Sequence, residues 1–277
     1  MQQTSRCPPE PLAPAMIARL ADLASADPVG RIRRITLEGA VYWVKRPERR
    51  SLRWRLQKGD PQRRFARERA AMHGMHALGV PVPPIVAEGP DFLVLPDCGP
   101  TLAQILRDGS ADDAQQAMVA AGAALAALHA RGLAHGRPAL RDLCWDGRTL
   151  RFLDFERSSP PPVSKRAQAH DLLVFLHSAV AQSLRPGDAG MPPAQQAAVD
   201  AAAASYRAAD TRQVWQAAIG ICAWLRRVEP LTRPLQRREA RRGPEKSYRE
   251  FQAVPHVLAM FPATPRGGRG GGTICAG

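Results

Sequence analysis

A change in hydrophobic periodicity near Pro96 constrains the fold of this chain more than any other feature. Before Pro96, short apolar runs alternate with turn signals, a pattern that is typical of β-strands. After it, long segments rich in alanine and leucine have the spacing of helices, and Gly99 and Pro100 break the pattern at the change itself. We therefore predict an α+β protein with two lobes: a small antiparallel sheet with one main helix, and a larger, mostly helical lobe.

The predicted organisation has four parts. Residues 1–29 form an irregular leader with a short helix, and residues 30–96 form the lobe that contains the sheet. Residues 97–255 form the helical lobe, and residues 256–277 form a tail rich in glycine and arginine that we expect to lack regular structure. A length of 277 residues suits one two-lobed domain and leaves no room for a second.

The elements expected in each lobe follow from periodicity, turn signals and helix caps. In the smaller lobe we predict strands over 32–37, 41–45, 85–87 and 92–95, and a helix over about 61–78. In the larger lobe we predict helices over 101–106, 111–130 and 192–227 and one through 171–176, with a loop over 132–146 and a strand over 149–153.

Cysteine usage and apolar segments exclude some protein classes. The cysteines are scattered, odd in number and without a C-x-x-C pair, which argues against a disulfide scaffold and a zinc site. The start of the chain lacks the apolar core of a signal peptide, and the nearly apolar stretch over 117–128 is too short to span a bilayer. We expect a cytoplasmic protein, with peripheral contact at the inner membrane surface left open.

Basic residues exceed acidic ones by 39 to 25, which gives a formal net charge of +14. Such an excess attracts anions, whether phosphate esters, anionic lipids or nucleic acids. The abundance of arginine over lysine also fits a compositional bias of the coding sequence, because alanine, proline and glycine are frequent as well. Aromatic residues make up only 5%, so platforms for stacking bases are scarce and a nucleic-acid interface is disfavoured.

Four fragments contain residues that could take part in a chemical reaction, and their order along the chain is informative. Lys45 ends a predicted strand in VYWVKR, Glu68 lies on the next helix, the polar loop LHARGLAHGRPALRDLCWD follows the long helix, and Asp154 follows a strand in FLDFE. Transfer of a phosphoryl group requires a fixed cation, metal ions held by carboxylates, and a group that orients the acceptor hydroxyl. The four fragments contain residue types for each of these tasks.

This order resembles the protein-kinase-like fold over roughly residues 30–180. The H-G opening of the loop and the D-F-E ending are most similar to the bacterial lipopolysaccharide (Kdo or heptose) kinases and their RIO-like relatives. The resemblance implies ATP and Mg²⁺ as cofactors, with Lys45 on the nucleotide phosphates, Glu68 as its partner and Asp154 on the metal. We also expect Leu95 and Asp97, at the lobe boundary, to contact the nucleotide.

The resemblance also implies roles for His135 and Asp171 around the polar loop. The matching histidine of the family is mostly structural, so we expect His135 to pack and hydrogen-bond near Asp154 without transferring a proton. Asp171 resembles the aspartate that braces the backbone of the catalytic loop; an aspartate favoured by a helix N-terminus explains it equally well. For Glu68, a solvated helix face is the alternative, and Glu38 is a weaker candidate for the same role.

The polar loop departs from the H-R-D-x₄-N pattern of protein kinases. Aligning His135 and Gly136 with H-R puts Arg137 at the catalytic aspartate and Asp142 at the metal-binding asparagine. A second alignment takes Arg141 and Asp142 as R-D and makes Asp142 the base, but leaves too few residues before the next motif. We prefer the first, in which Asp142 binds metal. In addition, no G-x-G-x-x-G motif precedes the strand lysine.

These features predict an atypical kinase that transfers the γ-phosphoryl group of ATP to a hydroxyl. The basic surface suits an anionic acceptor, such as a lipopolysaccharide-core sugar or related glycolipid, although a protein serine or threonine would use the same machinery. Arg137 stabilises charge on the transferred group or binds the anionic acceptor. The alternative is a pseudokinase module that binds nucleotide or a partner without chemistry, which Arg137 at the usual aspartate position would also explain.

Overall fold

The computed structural model describes residues 12–26, 30–47, 60–155, 157–158, 161–185, 190–242 and 245–262. The basic stretch over 48–59 and most of the predicted tail, from residue 263 onward, therefore lie outside the described residues. Within the described part of the chain, no helix combines the length and the apolar character needed to cross a membrane.

The smaller lobe contains an antiparallel sheet with the strand order β1-β2-β4-β3. Its strands are β1 (Ile32–Leu37), β2 (Ala40–Lys45), β3 (Ala87–Gly89) and β4 (Phe92–Pro96). Glu38 and Gly39 join β1 to β2 with positive φ angles of 52° and 79°, the conformation that a two-residue hairpin turn requires.

Alternation along β2 gives the sheet two different faces. Tyr42 and Val44 are buried in a small core shared with helix α1 (Pro14–Ala26), which covers one face. Trp43 and Lys45 point to the other face and line a cleft between the lobes. The period of two residues in a strand therefore separates the apolar core from the side that carries the lysine.

Helix α2 (Pro61–Ala77) begins where the sequence predicts. The Asp60 side chain accepts a hydrogen bond from the N–H of Gln62, and Pro61 occupies the first turn, where its missing N–H costs nothing. Its buried face consists of Phe65, Glu68, Met72 and Met75. A glutamate on an otherwise apolar face needs a partner of opposite charge to be buried.

The larger lobe is built around helices packed on a continuous apolar core. These are α3 (Leu102–Asp108), α4 (Ala111–Ala130), α5 (Lys165–Ser183), α6 (Pro193–Ala209), α7 (Val214–Arg242) and α8 (Glu245–Met260). The pair α4 and α6 approaches closely at Gly122, where an added Cβ would lie 2.2 Å from the carbonyl oxygen of Ala202. This architecture matches the expected α+β fold with two lobes.

The last helices continue further than the sequence indicates. Regular helix was predicted to residue 227, and the helical lobe to residue 255, but α7 continues to Arg242 and α8 crosses residue 255. Arg226 ties the two helices together, since its guanidinium donates to the carbonyl oxygens of Leu258 and, at 2.6 Å, Phe261. The first residues of the predicted irregular tail are therefore helical and packed.

A second, small sheet corrects the prediction of a loop over 132–146. Residues 140–142 form a 3₁₀ turn, and β5 (Leu143–Trp145) pairs in antiparallel register with β6 (Leu150–Phe152). The Asp146 side chain accepts hydrogen bonds from the N–H groups of Arg148 and Thr149 and so stabilises the turn between β5 and β6. Strands of three residues are too short for an alternation of apolar and polar residues to be recognised in the sequence.

Candidate active site

Lys45 at the end of β2 meets two carboxylates from other elements. Its Nζ forms an ion pair with Oε1 of Glu68 on α2 and lies 3.7 Å from Oδ1 of Asp154. Glu68 is only 4% exposed, and burial raises the pKa of its carboxyl while the Lys45 charge opposes the rise. Glu38, the weaker candidate, lies on the surface and pairs with Arg19 at 2.6 Å.

Asp154 occupies an unusual backbone conformation just beyond β6. Its φ of 60° falls in the left-handed region, which costs a residue other than glycine about 1–3 kcal/mol. Its Oδ1 is buried without a hydrogen-bond partner. A strained backbone that delivers an unsatisfied carboxylate oxygen to a cleft is typical of functional sites.

Asp142 lies beside Asp154 at the end of the 3₁₀ turn. The N–H of Leu153 donates to the carbonyl oxygen of Asp142 at 2.8 Å, which keeps the two acids adjacent. Oδ2 of Asp142 is also buried without a hydrogen-bond partner; the nearest cations, Arg137 and Arg141, lie 3.6 Å from its carboxylate oxygens. Burial, reinforced by the charge of Asp154, raises the pKa of Asp142 to about 6.

The two unsatisfied carboxylates suit a magnesium ion. Mg²⁺ prefers oxygen ligands and is usually held by one or two carboxylates together with phosphate oxygens and water. Among the described residues, no group of three or more acidic, histidine or cysteine side chains could hold a metal alone. Asp142 and Asp154 would share such an ion with phosphate oxygens and water.

The cleft above these acids has a volume of about 360 Å³. Leu95 and Asp97, the residues expected to contact the nucleotide, both line it, together with Ile32, Trp43 and Met72 on its apolar walls. Asp97 is oriented by the indole N–H of Trp43, which donates to its Oδ1 at 3.2 Å. The cleft thus combines apolar walls with charged groups at one end.

Asp171 on α5 braces the polar loop. Its carboxylate accepts from the backbone N–H of His135 at 2.6 Å and from that of Gly136 at 2.9 Å. Gly136 has a φ of +92°, and a Cβ there would lie 2.2 Å from the carbonyl oxygen of Arg157. The bracing predicted from the resemblance is the arrangement found, and it requires glycine at this position.

His135 is fully buried and has fixed partners on both ring nitrogens. Its Nε2–H donates to the carbonyl oxygen of Leu153 at 2.7 Å, and its Nδ1 accepts from the N–H of Arg137 at 3.4 Å. The ring packs against Phe155, with centroids 4.6 Å apart. Burial lowers the pKa of His135, so the ring is neutral and structural, and it links the loop to the strand that carries Asp154.

Sequence reasoning missed a buried pair behind the brace. His129 Nδ1 lies 2.6 Å from the hydroxyl of Tyr206 on α6, and His129 Nε2 lies 3.5 Å from Oδ2 of Asp171. Gln168 donates to the carbonyl oxygens of His129 and Leu133 and fixes this end of α4. The only signal was a histidine on the apolar face of a helix, six positions before His135.

The order of contacts along the loop favours the first alignment. At the start of the loop the N–H of His135 donates to Asp171, and at its end the carbonyl oxygen of Asp142 accepts from the N–H of Leu153, the residue before Asp154. In this alignment Arg137 occupies the position of the catalytic aspartate of kinases. The structure brings Lys45, Glu68, Asp142 and Asp154 to one cleft, as the resemblance implies.

Comparison with known proteins supports the kinase-like fold. Residues 31–187, more than half of the chain, match the model of the phosphotransferase enzyme family (APH). An uncharacterised protein of Haemophilus influenzae is 35% identical over 150 residues, which cover 53% of this chain and 62% of that protein. The matched residues contain every member of the cleft described above, from Ile32 to Asp154. The chain belongs to the phosphotransferase enzyme family.

Proposed function

We propose that this protein transfers the γ-phosphoryl group of ATP to a hydroxyl of an acceptor, with Mg²⁺ held by Asp142 and Asp154. One observation carries the proposal: the Lys45–Glu68 ion pair and two carboxylates with unsatisfied buried oxygens converge at one end of an apolar-walled cleft. Buried carboxylate oxygens without a hydrogen-bond partner are costly to the folded protein, and a bound cation would reduce that cost.

Each residue has a task in this proposal. Glu68 holds the Lys45 ammonium group at the cleft, where the ammonium group neutralises phosphate charge. The apolar walls accept the adenine base of ATP. A magnesium ion, when bound, supplies further neutralisation of the phosphate oxygens. His135 and Asp171 hold the loop so that Asp142 stays next to Asp154. Positioning and electrostatic stabilisation are the main contributions that such a transfer needs.

The missing catalytic aspartate does not exclude transfer. Phosphoryl transfer passes through a loose transition state in which the acceptor hydroxyl needs little deprotonation beforehand. Arg137, 3.6 Å from Asp142, is close enough to stabilise charge that develops on the transferred group. In this proposal the arginine contributes electrostatically where other kinases use a base.

We further propose an anionic acceptor, such as a lipopolysaccharide-core sugar or related glycolipid, met in the cytoplasm at the inner membrane surface. The net charge of +14 and the resemblance of the loop to lipopolysaccharide kinases support this class of acceptor. A protein serine or threonine is the second possibility for the same machinery. Incubation of the protein with radiolabelled Mg-ATP and purified lipopolysaccharide core, or with a mixture of proteins, separates the two acceptors.

The competing function is a pseudokinase module that binds nucleotide without turning it over. Arg137 at the aspartate position, paired with Asp142, favours it. In the labelling experiment, wild type transfers label and Asp154→Asn does not, whereas Asp112→Asn, which changes an exposed residue on α4, transfers as wild type. ATP binding with no label on any acceptor and no ATP hydrolysis would favour the module instead.

A further inference from the structure

A second cavity, of about 250 Å³, adjoins the polar loop. We call it the arginine pocket, defined by Arg137, Arg141, Arg249, His177 and Glu250. Arg141 lines both this pocket and the nucleotide cleft, so the two cavities are neighbours. Arg137 connects them as well, because its guanidinium lies 3.6 Å from Oδ2 of Asp142 in the cleft.

Positive charge in the arginine pocket exceeds negative charge. Three guanidinium groups face it, and Glu250 is the one carboxylate among its lining residues. Arg137 and Arg141 share Asp142, each at 3.6 Å, beyond hydrogen-bond distance. The Nε of Arg249 is buried and has no hydrogen-bond partner. A buried guanidinium N–H without an acceptor is costly, and a bound anion would supply the acceptor.

Arg249 comes from a part of the chain that the family match does not include. It lies on α8, beyond residues 31–187, and α8 packs on α5. His177 of α5 fixes this contact, since its Nε2–H donates to the carbonyl oxygen of Glu250 at 2.8 Å. The backbone beside Arg249 is therefore held in place, and the C-terminal helix completes a pocket next to the catalytic loop.

We infer that the arginine pocket binds a phosphomonoester carried by the acceptor and thereby positions the acceptor hydroxyl next to Asp142. The inference rests on the proposed function, which supplies the acceptor. Guanidinium groups bind phosphate oxygens bidentately, and a dianion matches the excess of positive charge. The pocket is smaller than the 300–1,000 Å³ of typical small-molecule sites, so it accommodates a phosphate with part of a sugar ring.

The charge of the pocket also restricts the acceptor. A cationic acceptor would bring ammonium groups against several arginines and lose affinity by like-charge repulsion. A neutral sugar would supply no anionic acceptor to the Nε–H of Arg249. A phosphorylated acceptor is therefore the class that the pocket selects.

Titration of the protein with glucose 6-phosphate in the absence of nucleotide tests the inference, whether or not the protein turns over ATP. We expect wild type to bind glucose 6-phosphate and not glucose, with an affinity that falls as salt is raised. Arg249→Ala should weaken binding at least tenfold, and Arg249→Lys should recover part of the loss. Arg227→Ala, which removes an exposed arginine of α7, should bind as wild type.

Further variants separate the pocket from the cleft and from misfolding. The double variant Lys45→Met and Glu68→Gln, which removes the cleft cation without leaving Glu68 unpaired, should retain binding. Binding lost in this double variant and kept in Arg249→Ala would assign the phosphate to the cleft and overturn the inference. If Arg249→Ala fails to fold, Arg141→Ala replaces it, because that side chain is 52% exposed and its removal should leave the core intact. No binding by wild type, or equal binding by the pocket variants, also contradicts the inference.

Discussion

The backbone N–H of Leu153 donates a 2.8 Å hydrogen bond to the carbonyl oxygen of Asp142. This bond joins the end of the polar loop to the residue that precedes Asp154. It therefore keeps the side chains of Asp142 and Asp154 next to each other at the base of the cleft. Each acid then has an unsatisfied oxygen, so the arrangement is unfavourable for the free protein and favourable for a cation.

Asp142→Asn should therefore stabilise the protein in the absence of magnesium and retain part of the phosphoryl transfer, because asparagine is the metal-binding residue at the matching position of protein kinases. At pH 7 the substitution removes a buried charge that repels Asp154, and the gain in the free energy of unfolding should be about 1–3 kcal/mol. Denaturant unfolding with EDTA measures it. Added Mg²⁺ should stabilise wild type more than the variant; a variant less stable than wild type under both conditions would contradict the account.

The dependence of stability on pH follows from the same residue. The pKa of Asp142 is raised to about 6. Between about pH 4, the ordinary pKa of an aspartate, and pH 6, the folded state therefore binds more protons than the unfolded state. Its contribution to stability without magnesium is thus largest below about pH 4 and is lost as the pH rises through 6. Magnesium affinity should show the opposite trend and fall below pH 6. Isothermal titration at several pH values compares wild type with Asp142→Asn.

Removal of one partner from the Lys45–Glu68 pair should cost more stability than removal of both charges. Lys45→Met leaves Glu68 buried without its cation, and such breaks cost about 3–5 kcal/mol. The double variant Lys45→Met and Glu68→Gln should recover most of that loss, yet neither variant should transfer phosphate. A double-mutant cycle of unfolding energies measures the coupling, and additive losses would show that the pair is not coupled.

Tyr206→Phe should slow transfer without changing nucleotide affinity. The hydroxyl of Tyr206 is 2.6 Å from His129, which in turn lies near Asp171, so its loss loosens the brace of the loop and costs about 1–3 kcal/mol of stability. We expect a lower kcat with the KM for ATP unchanged. Ser205→Ala on the same helix removes a hydroxyl that donates to the carbonyl oxygen of Val119 on α4 at 2.9 Å, away from the brace, and serves as the control for a lost helix-to-helix hydrogen bond. A raised KM at constant kcat would place the effect in binding instead.

Gly136→Ala should destabilise the loop, and Gly74→Ala should not. The first would bring a Cβ to 2.2 Å from a carbonyl oxygen and forces a side chain into a positive φ, with an expected loss above about 2 kcal/mol. Gly74 lies within α2 with open space around its Cβ position, so alanine there should stabilise the protein by about 0.5–1 kcal/mol. Thermal unfolding of both variants compares the two sites.

Local sequence signals were sufficient where a residue's role depends on its neighbours in the chain. The apolar run VYWV predicted the strand that Lys45 ends, and Asp60-Pro61 predicted the start of the helix that carries Glu68. The resemblance of the ordered fragments to the protein-kinase-like fold then implied that these residues and Asp154 share one cleft. Periodicity located the elements, and the resemblance supplied their relation in space.

Other features depend on contacts between distant parts of the chain. The three-residue strands β5 and β6 are stabilised by pairing with each other, not by their own composition. His129 and Tyr206 lie 77 positions apart, and Arg249 lines the same pocket as Arg137 because α8 packs on α5. Nothing in the local sequence around these residues indicates the partner that gives each its role.

The most direct test of the phosphotransfer cleft is the shift in unfolding temperature caused by ATP with and without Mg²⁺. At a concentration of ATP about 100 times its Kd, wild type should gain about 5–10 °C with Mg²⁺ and much less without it. Asp154→Asn should lose the magnesium-dependent part, while Asp112→Asn keeps it. An equal shift in Asp154→Asn and wild type, or no magnesium-dependent shift in wild type, would contradict the account.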